Sequence, residues 1–313
     1  QFYQQNLQNQ LAVMTDDIYL VSRTVEGNFP NYRAIFPKEY IAEVQRRLVM
    51  QGTPAASSTL GDEESIKDIS KNDLLDYQRK FINFDRASFV ASGDVSIEVL
   101  KEKLSSLALD TGEKFAVGEK LPIIKDKKIE VEFYKDINQL QVSLTCRTTI
   151  EDYMEYCALR VLNSIIAGGR GSRLMTKLRY ENGLVYSVFS NAFNTIDWGI
   201  FRINLSCDKN DLEKVKNLIY QEFKELRKNN ISSTELENAK SKVAKGSIRY
   251  FQTSEAWVDF HEDEALFTPL ELHTTEDYIS TIKSLTPQDI QKVIDKYLLE
   301  ENFYLAICGD YQE

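Results

Sequence analysis

Histidine is nearly missing from this chain: of 313 residues, only His261 and His273 are histidines. Zinc-peptidase helices of the H-x-x-E-H or H-E-x-x-H kind need two histidines within about one helical turn, so neither pattern exists here. HEDEA, 261–265, begins like one but puts Ala265 where the second histidine would stand, and reads as an acidic helix face. Cysteine is sparse too. Cys146, Cys157, Cys207 and Cys308 form no C-x-x-C pair, which excludes a disulfide scaffold and a zinc ribbon and leaves four small core residues. Basic charge is in deficit, 38 Lys and Arg against 48 Asp and Glu, and the net charge of −10 with no basic patch excludes a phosphate-backbone partner. No apolar run approaches the length of a membrane span, and QFYQQNLQNQLAV at the start lacks the charged and apolar regions of a signal peptide. Serine nucleophile chemistry finds no Gly-x-Ser-x-Gly elbow.

What is present suffices for two ordinary domains, with 42% hydrophobic residues. The chain also repeats itself. ISKNDLLDYQRKFINFDRASFVASGDVS from Ile69 aligns without a gap to LTPQDIQKVIDKYLLEENFYLAICGDYQ from Leu285, every pair 216 apart: Asp73 with Asp289, Leu74 with Ile290, Phe81 with Tyr297, Gly93-Asp94 with Gly309-Asp310. Each copy predicts a Ser or Thr cap, an amphipathic helix, a short loop and an apolar strand stopped by Gly-Asp. Between them the patterns predict strands at 129–134, 139–147, 185–193 and 199–206, with helices at 152–166, 172–181, 209–228, 233–250 and 254–267, ahead of a helix at 286–299 and a strand at 302–308. The Gly-, Lys- and Pro-bearing stretch 110–128 reads as a linker between a first unit, 1–109, and a second, 129–313. The fold class is therefore α+β, with two homologous units, each an antiparallel sheet covered by helices. By the 216-residue offset the first unit is N-terminally incomplete, which agrees with a processed or partial chain that opens on Gln1.

One segment joins the repeat to chemistry. IIAGGRGSRLMTKLRYENGLVYSVFS places Gly168, Gly169, Ser172, Arg173 and Leu174 ahead of Arg179, Gly183, Leu184 and Tyr186. GGRGSR has glycines before a helix but neither a dinucleotide nor a P-loop fingerprint, and reads as close backbone packing. Asn182-Gly183 predicts a helix end with Gly183 in the left-handed cap, after which a strand carries Tyr186. Together with the repeated helix-rich unit, this arrangement resembles the insulinase/pitrilysin zinc-peptidase family, especially its shorter, mitochondrial-processing-peptidase-like members. The segments 231–246 and 60–70 also fit that family.

The resemblance implies catalysis split between two domains that close on a peptide or unfolded protein. One domain holds zinc through H-x-x-E-H and a distal Glu; the other contributes an Arg and a Tyr seven apart, which here are Arg179 and Tyr186. A guanidinium holds carbonyl oxygens with several donors, and a phenol hydrogen-bonds an oxyanion as it forms. The zinc motif is absent, and laying 36–50 on the family's distal-Glu helix puts Glu43 at an acidic position but Met50 at the next. The expectation is thus a chain without metal or other cofactor. It supplies substrate-binding and catalytic Arg179 and Tyr186 to a zinc-bearing homologous subunit, a missing N-terminal half or a homo-oligomer, with no nucleic acid or membrane partner. A non-catalytic scaffold or assembly subunit of the same family is the alternative. Trp198 is expected in a hairpin turn, and the charged run 213–230 as a solvated helix face.

Overall fold

In the computed structural model, the residues described are 37–57, 61, 63–82, 89–106, 128–133, 139–195, 198–229, 231–267 and 273–312. Leu140, Val142, Leu144 and Cys146 alternate along the chain with Gln141, Ser143, Thr145 and Arg147, so the strand they form presents one apolar face and one polar face. That strand, β2 (Gln139–Thr148), lies at the centre of a five-stranded sheet with β1 (Lys128–Phe133), β3 (Val185–Asn194), β4 (Gly199–Asp208) and β5 (Phe303–Gly309), in the order β1-β5-β2-β4-β3. Three ladders are antiparallel, as expected, while β1 runs parallel to β5. The reason is topological. β5 enters between two consecutive strands of opposite direction, so it must parallel one of them.

Among the described residues, α1 (Pro37–Val49), α2 (Glu63–Lys67), α3 (Lys71–Phe81) and α4 (Ile97–Ser105) precede the sheet. Within and after it come α5 (Tyr153–Ala167), α6 (Leu212–Lys228), α7 (Ser233–Tyr250), α8 (Ser254–Phe267), α9 (Thr275–Ser284) and α10 (Pro287–Tyr297). α5 is apolar on most sides and buries Cys157, Leu159, Val161, Leu162, Ile165 and Ile166 between the sheet and α7, α9 and α10. α6 is amphipathic as predicted, with Val215, Ile219, Phe223 and Leu226 inside. α9 was not foreseen. It is only ten residues long, but Thr274 and Asp277 form the same reciprocal cap that Ser70 and Asp73 make at α3 and Thr286 and Asp289 at α10. The S/T-x-x-D spacing was the available signal.

The opposite face of the sheet is covered by α1, whose Ile41, Val44, Leu48 and Val49, with Met50 just after it, pack with Tyr304, Ala306 and Cys308 of β5 and Ile200 of β4. Arg147 donates from Nε to the Val49 carbonyl at 2.7 Å, and Arg47 pairs with Glu130 on β1. The helix expected in the first copy of the repeat forms, but the strand after it does not among the described residues. Residues 89–92 are irregular, and 83–88, like 110–127 of the expected linker, lie outside the described residues. All four cysteines are buried and unbridged.

Candidate functional site

Arg179 belongs to a π-helical stretch, Met175–Glu181, which follows Arg173 and Leu174. Wider turns of this kind are rare and recur where side chains are placed for function. The stretch stops in a defined cap. Gly183 takes φ +64, its N–H donates to the Arg179 carbonyl at 3.0 Å, and the Leu184 N–H reaches back to the Leu178 carbonyl at 2.8 Å. The first is the five-to-one bond of a left-handed glycine cap, with the glycine placed as the Asn-Gly pair predicted, and the second is a seven-to-one bond that closes the wide π-helical turn. Leu184 and Val185 are buried, and the chain passes directly into β3.

At its start β3 carries an extra residue. Its pairing with β4 steps from Val185↔Cys207 to Val188↔Leu205, a one-residue bulge that leaves Tyr186 and Ser187 exposed in succession. Tyr186 is 76% exposed. Arg179 lies over its ring, with the guanidinium carbon 4.6 Å from the centroid, and 5.9 Å from the ring of Tyr180. The two predicted residues are therefore in contact, the cation–π pair orienting the phenol beside the guanidinium. Tyr180 was missed; its place next to Arg179 on an open turn was the only sign of it. Arg179 offers up to five N–H donors and Tyr186 one O–H, the donor set suited to an oxygen that gains negative charge.

The rest of the motif holds this pair in place. Arg173 donates from Nε and Nη2 to both oxygens of Glu235 at 2.7 Å and from Nη1 to Glu222 at 2.8 Å, tying the segment to α7 and α6. Those carboxylates push the Arg173 pKa well above its ordinary value. Gly168 and Gly169 sit under Lys242 of α7, whose Nζ donates to the Gly168 carbonyl; a Cβ on Gly169, at φ +144, would stand 2.8 Å from that Nζ. Ser172 donates to the Gly169 carbonyl from its hydroxyl at 2.6 Å and its N–H at 3.0 Å. The glycines thus serve close backbone packing.

The two histidines do not meet. His261 lies beside Trp257 and Phe260, while His273 stacks on Tyr153 at 3.4 Å. No three His, Cys, Asp or Glu side chains converge among the described residues, so the donor set does not fit a zinc ion. Glu43 is paired with Arg46 one turn along α1, and Met50 is buried. Trp198 accepts from the Thr195 N–H at the β3–β4 turn, and its ring lies 5.5 Å from Phe193. Among the described residues, no helix is long and apolar enough to cross a membrane.

A family model described as the peptidase M16 inactive domain matches residues 68–243. A Helicobacter pylori protein named non-peptidase homolog YmxG is 29% identical over 208 residues, covering 64% of this chain and 47% of its own length. A Bacillus subtilis protein named uncharacterized zinc protease YmxG is 24% identical over 252 residues, covering 80% of this chain and 60% of its own length. The chain thus spans about half to three fifths of these curated relatives. The crystal structure of a peptidase M16 inactive domain from Pseudomonas fluorescens superposes with a TM-score of 0.80 at 23% identity, over 95% of this chain and 71% of that one.

Proposed function

Because the chain belongs to the peptidase M16 inactive-domain family, we propose that Arg179 and Tyr186 form the substrate-contacting side of a peptide-hydrolysing site whose metal and general base lie outside this chain. The protein is metallopeptidase-related, and no zinc set forms among its described residues; its contribution is to bind and to stabilise charge. Arg179 orients the scissile segment through backbone carbonyl oxygens. The Tyr186 hydroxyl donates to the carbonyl oxygen as that oxygen becomes an oxyanion, and because the ring is already held under the guanidinium little reorganisation accompanies the step. The substrate is a peptide or unfolded protein, and the partner is a zinc-bearing homologous polypeptide, as a separate subunit or as the remainder of a longer chain.

The observation that carries this reading is the stacked, outward-facing pair at 4.6 Å on an otherwise tightly anchored segment. Tyr186→Phe, in the complex with a zinc-bearing homologous subunit, is expected to lower kcat on a quenched fluorogenic peptide by about 100-fold, the typical cost of one lost oxyanion donor. Arg179→Ala is expected to raise KM as well, since it removes ground-state contacts. Unchanged hydrolysis by Tyr186→Phe removes the catalytic role. A non-catalytic assembly role is the second reading, favoured by the name of the Helicobacter pylori relative. Absence of cleavage in every pairing decides for it.

A further inference from the structure

Two rows of residues, each at the four-residue spacing of one helix face, line a cleft of about 520 Å³ between α5 and α7. Along α5 the row is Tyr156, Arg160 and Ser164, ending at Gly168; along α7 it is Lys242, Gly246 and Tyr250. Gly246 keeps the middle of the cleft open, since a Cβ built on it would have no atom within 4 Å. Glycine inside a helix is destabilising, so stability gives no reason for it there. Behind the rows stands a chain of rings. Tyr156 meets Tyr278 of α9 at 6.5 Å between centroids, Tyr278 meets Phe260 of α8 at 6.2 Å, and Phe260 meets Phe251 at 5.0 Å, each pair edge-to-face. A cleft walled by rings takes an apolar body.

The charge of the cleft opposes that of the protein. The chain carries a net −10, yet the described residues lining the cleft include Arg160 and Lys242 and no Asp or Glu. Arg160 is held by bonds from Nη1 to the Ala192 carbonyl at 3.1 Å and from Nη2 to the Tyr156 hydroxyl at 3.0 Å, which fixes its positive field. Lys242 gives one N–H to the Gly168 carbonyl, and an ammonium has three. One turn before Gly168, Ser164 Oγ is buried with no hydrogen-bond partner. At the far end of the α7 row, about 12 Å from Lys242 along the helix, the Tyr250 hydroxyl donates to Asp259 at 3.2 Å. A negative head is therefore drawn to Lys242 and away from Tyr250. We infer that this cleft binds a small organic carboxylate with an apolar body, the carboxylate on Lys242 and Ser164 and the body along the rings of Tyr278, Phe260 and Phe251. The inference does not depend on the roles of Arg179 and Tyr186.

The test is titration calorimetry on the full chain with two probes, phenylbutyrate and octanoate, and with phenylbutanol and octanol as their uncharged analogues. At least one acid is expected to bind saturably, one per chain, and at least about tenfold more tightly than its alcohol, which lacks the charge-assisted bond to Lys242. The tighter acid identifies the body as aromatic or aliphatic. Gly246→Leu fills the cleft and is expected to abolish binding while melting no lower than wild type, because leucine is the better helix former. Lys242→Met is expected to bring each acid down to the affinity of its alcohol. Arg179→Ala, which alters the proposed peptide-contacting pair and leaves the cleft intact, is expected to bind like wild type. No saturable binding of either acid, alcohols that match the acids, or undiminished binding by Gly246→Leu or Lys242→Met overturns the inference. Loss of binding in Arg179→Ala overturns it as well, by placing the acid at the peptide-contacting site. Binding that survives Arg179→Ala beside unaltered hydrolysis in Tyr186→Phe would uphold the cleft while removing the proposed catalytic role.

Discussion

Arg173→Ala tests whether the segment that carries Arg179 is held by charge pairing. In the native chain three short bonds leave the Arg173 guanidinium, two to Glu235 and one to Glu222, and the three side chains are 28%, 28% and 8% exposed in the order Arg173, Glu235, Glu222. Glu235 keeps access to water after truncation, so its loss is that of a partly exposed pair, about 0.5–1 kcal/mol. Glu222 is different. It stays on the inner side of α6 as a buried carboxylate with its guanidinium removed, and breaking one side of a fully buried pair costs about 3–5 kcal/mol. Since Arg173 itself is about a quarter exposed, water entering the vacated volume offsets part of that, and we expect a total near 3 kcal/mol. At this chain length that is a fall of about 6 °C in Tm. The measurement is thermal unfolding by circular dichroism, with urea midpoints at constant m-value as a second reading. Glu222→Gln in the Arg173→Ala background is expected to recover about 1 kcal/mol, because a neutral amide is less costly to bury unpaired than a carboxylate. A Tm within about 1 °C of wild type, or a double variant less stable than Arg173→Ala, would refute the clamp as an electrostatic device.

Gly183→Ala is expected to cost about 1 kcal/mol through its positive φ alone, because no atom lies within 4 Å of the added Cβ; Gly183→Asn should cost less, and equal melting of Ala and wild type would contradict the left-handed cap. Burial pushes the thiols of Cys146, Cys207 and Cys308 up to about 12, so a disulfide reagent at mildly alkaline pH should label no thiol in the folded protein and all four after unfolding. Bonds from Thr286 hold the Asp289 carboxyl below its ordinary range, so its folded-state pKa is depressed; its stabilisation is complete above the unfolded carboxylate pKa and is lost as pH falls through the folded value. Asp289→Asn should therefore be less stable than wild type at neutral pH and converge with it in acid, as urea titrations at both ends would show; a pH-independent gap would count against the cap.

Legibility in the sequence followed how local the determining physics is. Most strand and helix spans of residues 128–309, α9 excepted, were readable because one face of each element meets the core and imposes its period, as in the alternation along β2. The parallel placement of β1 was not readable, because strand order depends on where a segment more than a hundred residues away inserts. The cap at Gly183 was readable from two residues, whereas the π-helical turn ahead of it was not, since no propensity distinguishes it from an α-turn. The resemblance singled out Arg179 and Tyr186, but their contact, the neighbouring Tyr180 and the three-way clamp at Arg173 depend on folding. Glu222 and Glu235 lie 49 and 62 residues from their partner. In the first copy of the repeat, local signals gave the helix and its Ser cap, while the strand after it does not form among the described residues.

The seven-residue interval between Arg179 and Tyr186 has a structural origin that is separate from its chemistry. Arg179 lies one residue beyond the carbonyl of Leu178 that accepts from Leu184, and Tyr186 lies two residues beyond Leu184. An insertion or deletion between them would break that seven-to-one closure or move Val185 out of the core and Tyr186 toward it, since strand side chains alternate between faces. The interval is therefore what this helix-cap-strand corner imposes on any residues at its two ends, and alone it is no argument for catalysis. The identities at those ends carry the functional weight. The residues that brace the corner, Ser172, Arg173, Leu174, Leu178, Leu184 and Val185, are at least partly buried or paired, whereas Tyr186 projects a large ring into solvent where stability requires none. Arg179 covers that ring without contributing a buried ion pair, and an exposed cation–π contact adds only about 0.5–1 kcal/mol. Tyr186→Ser is thus expected to leave the melting temperature almost unchanged while abolishing the effect on hydrolysis attributed to the phenol, and a large loss of stability in that variant would make the pair a structural feature.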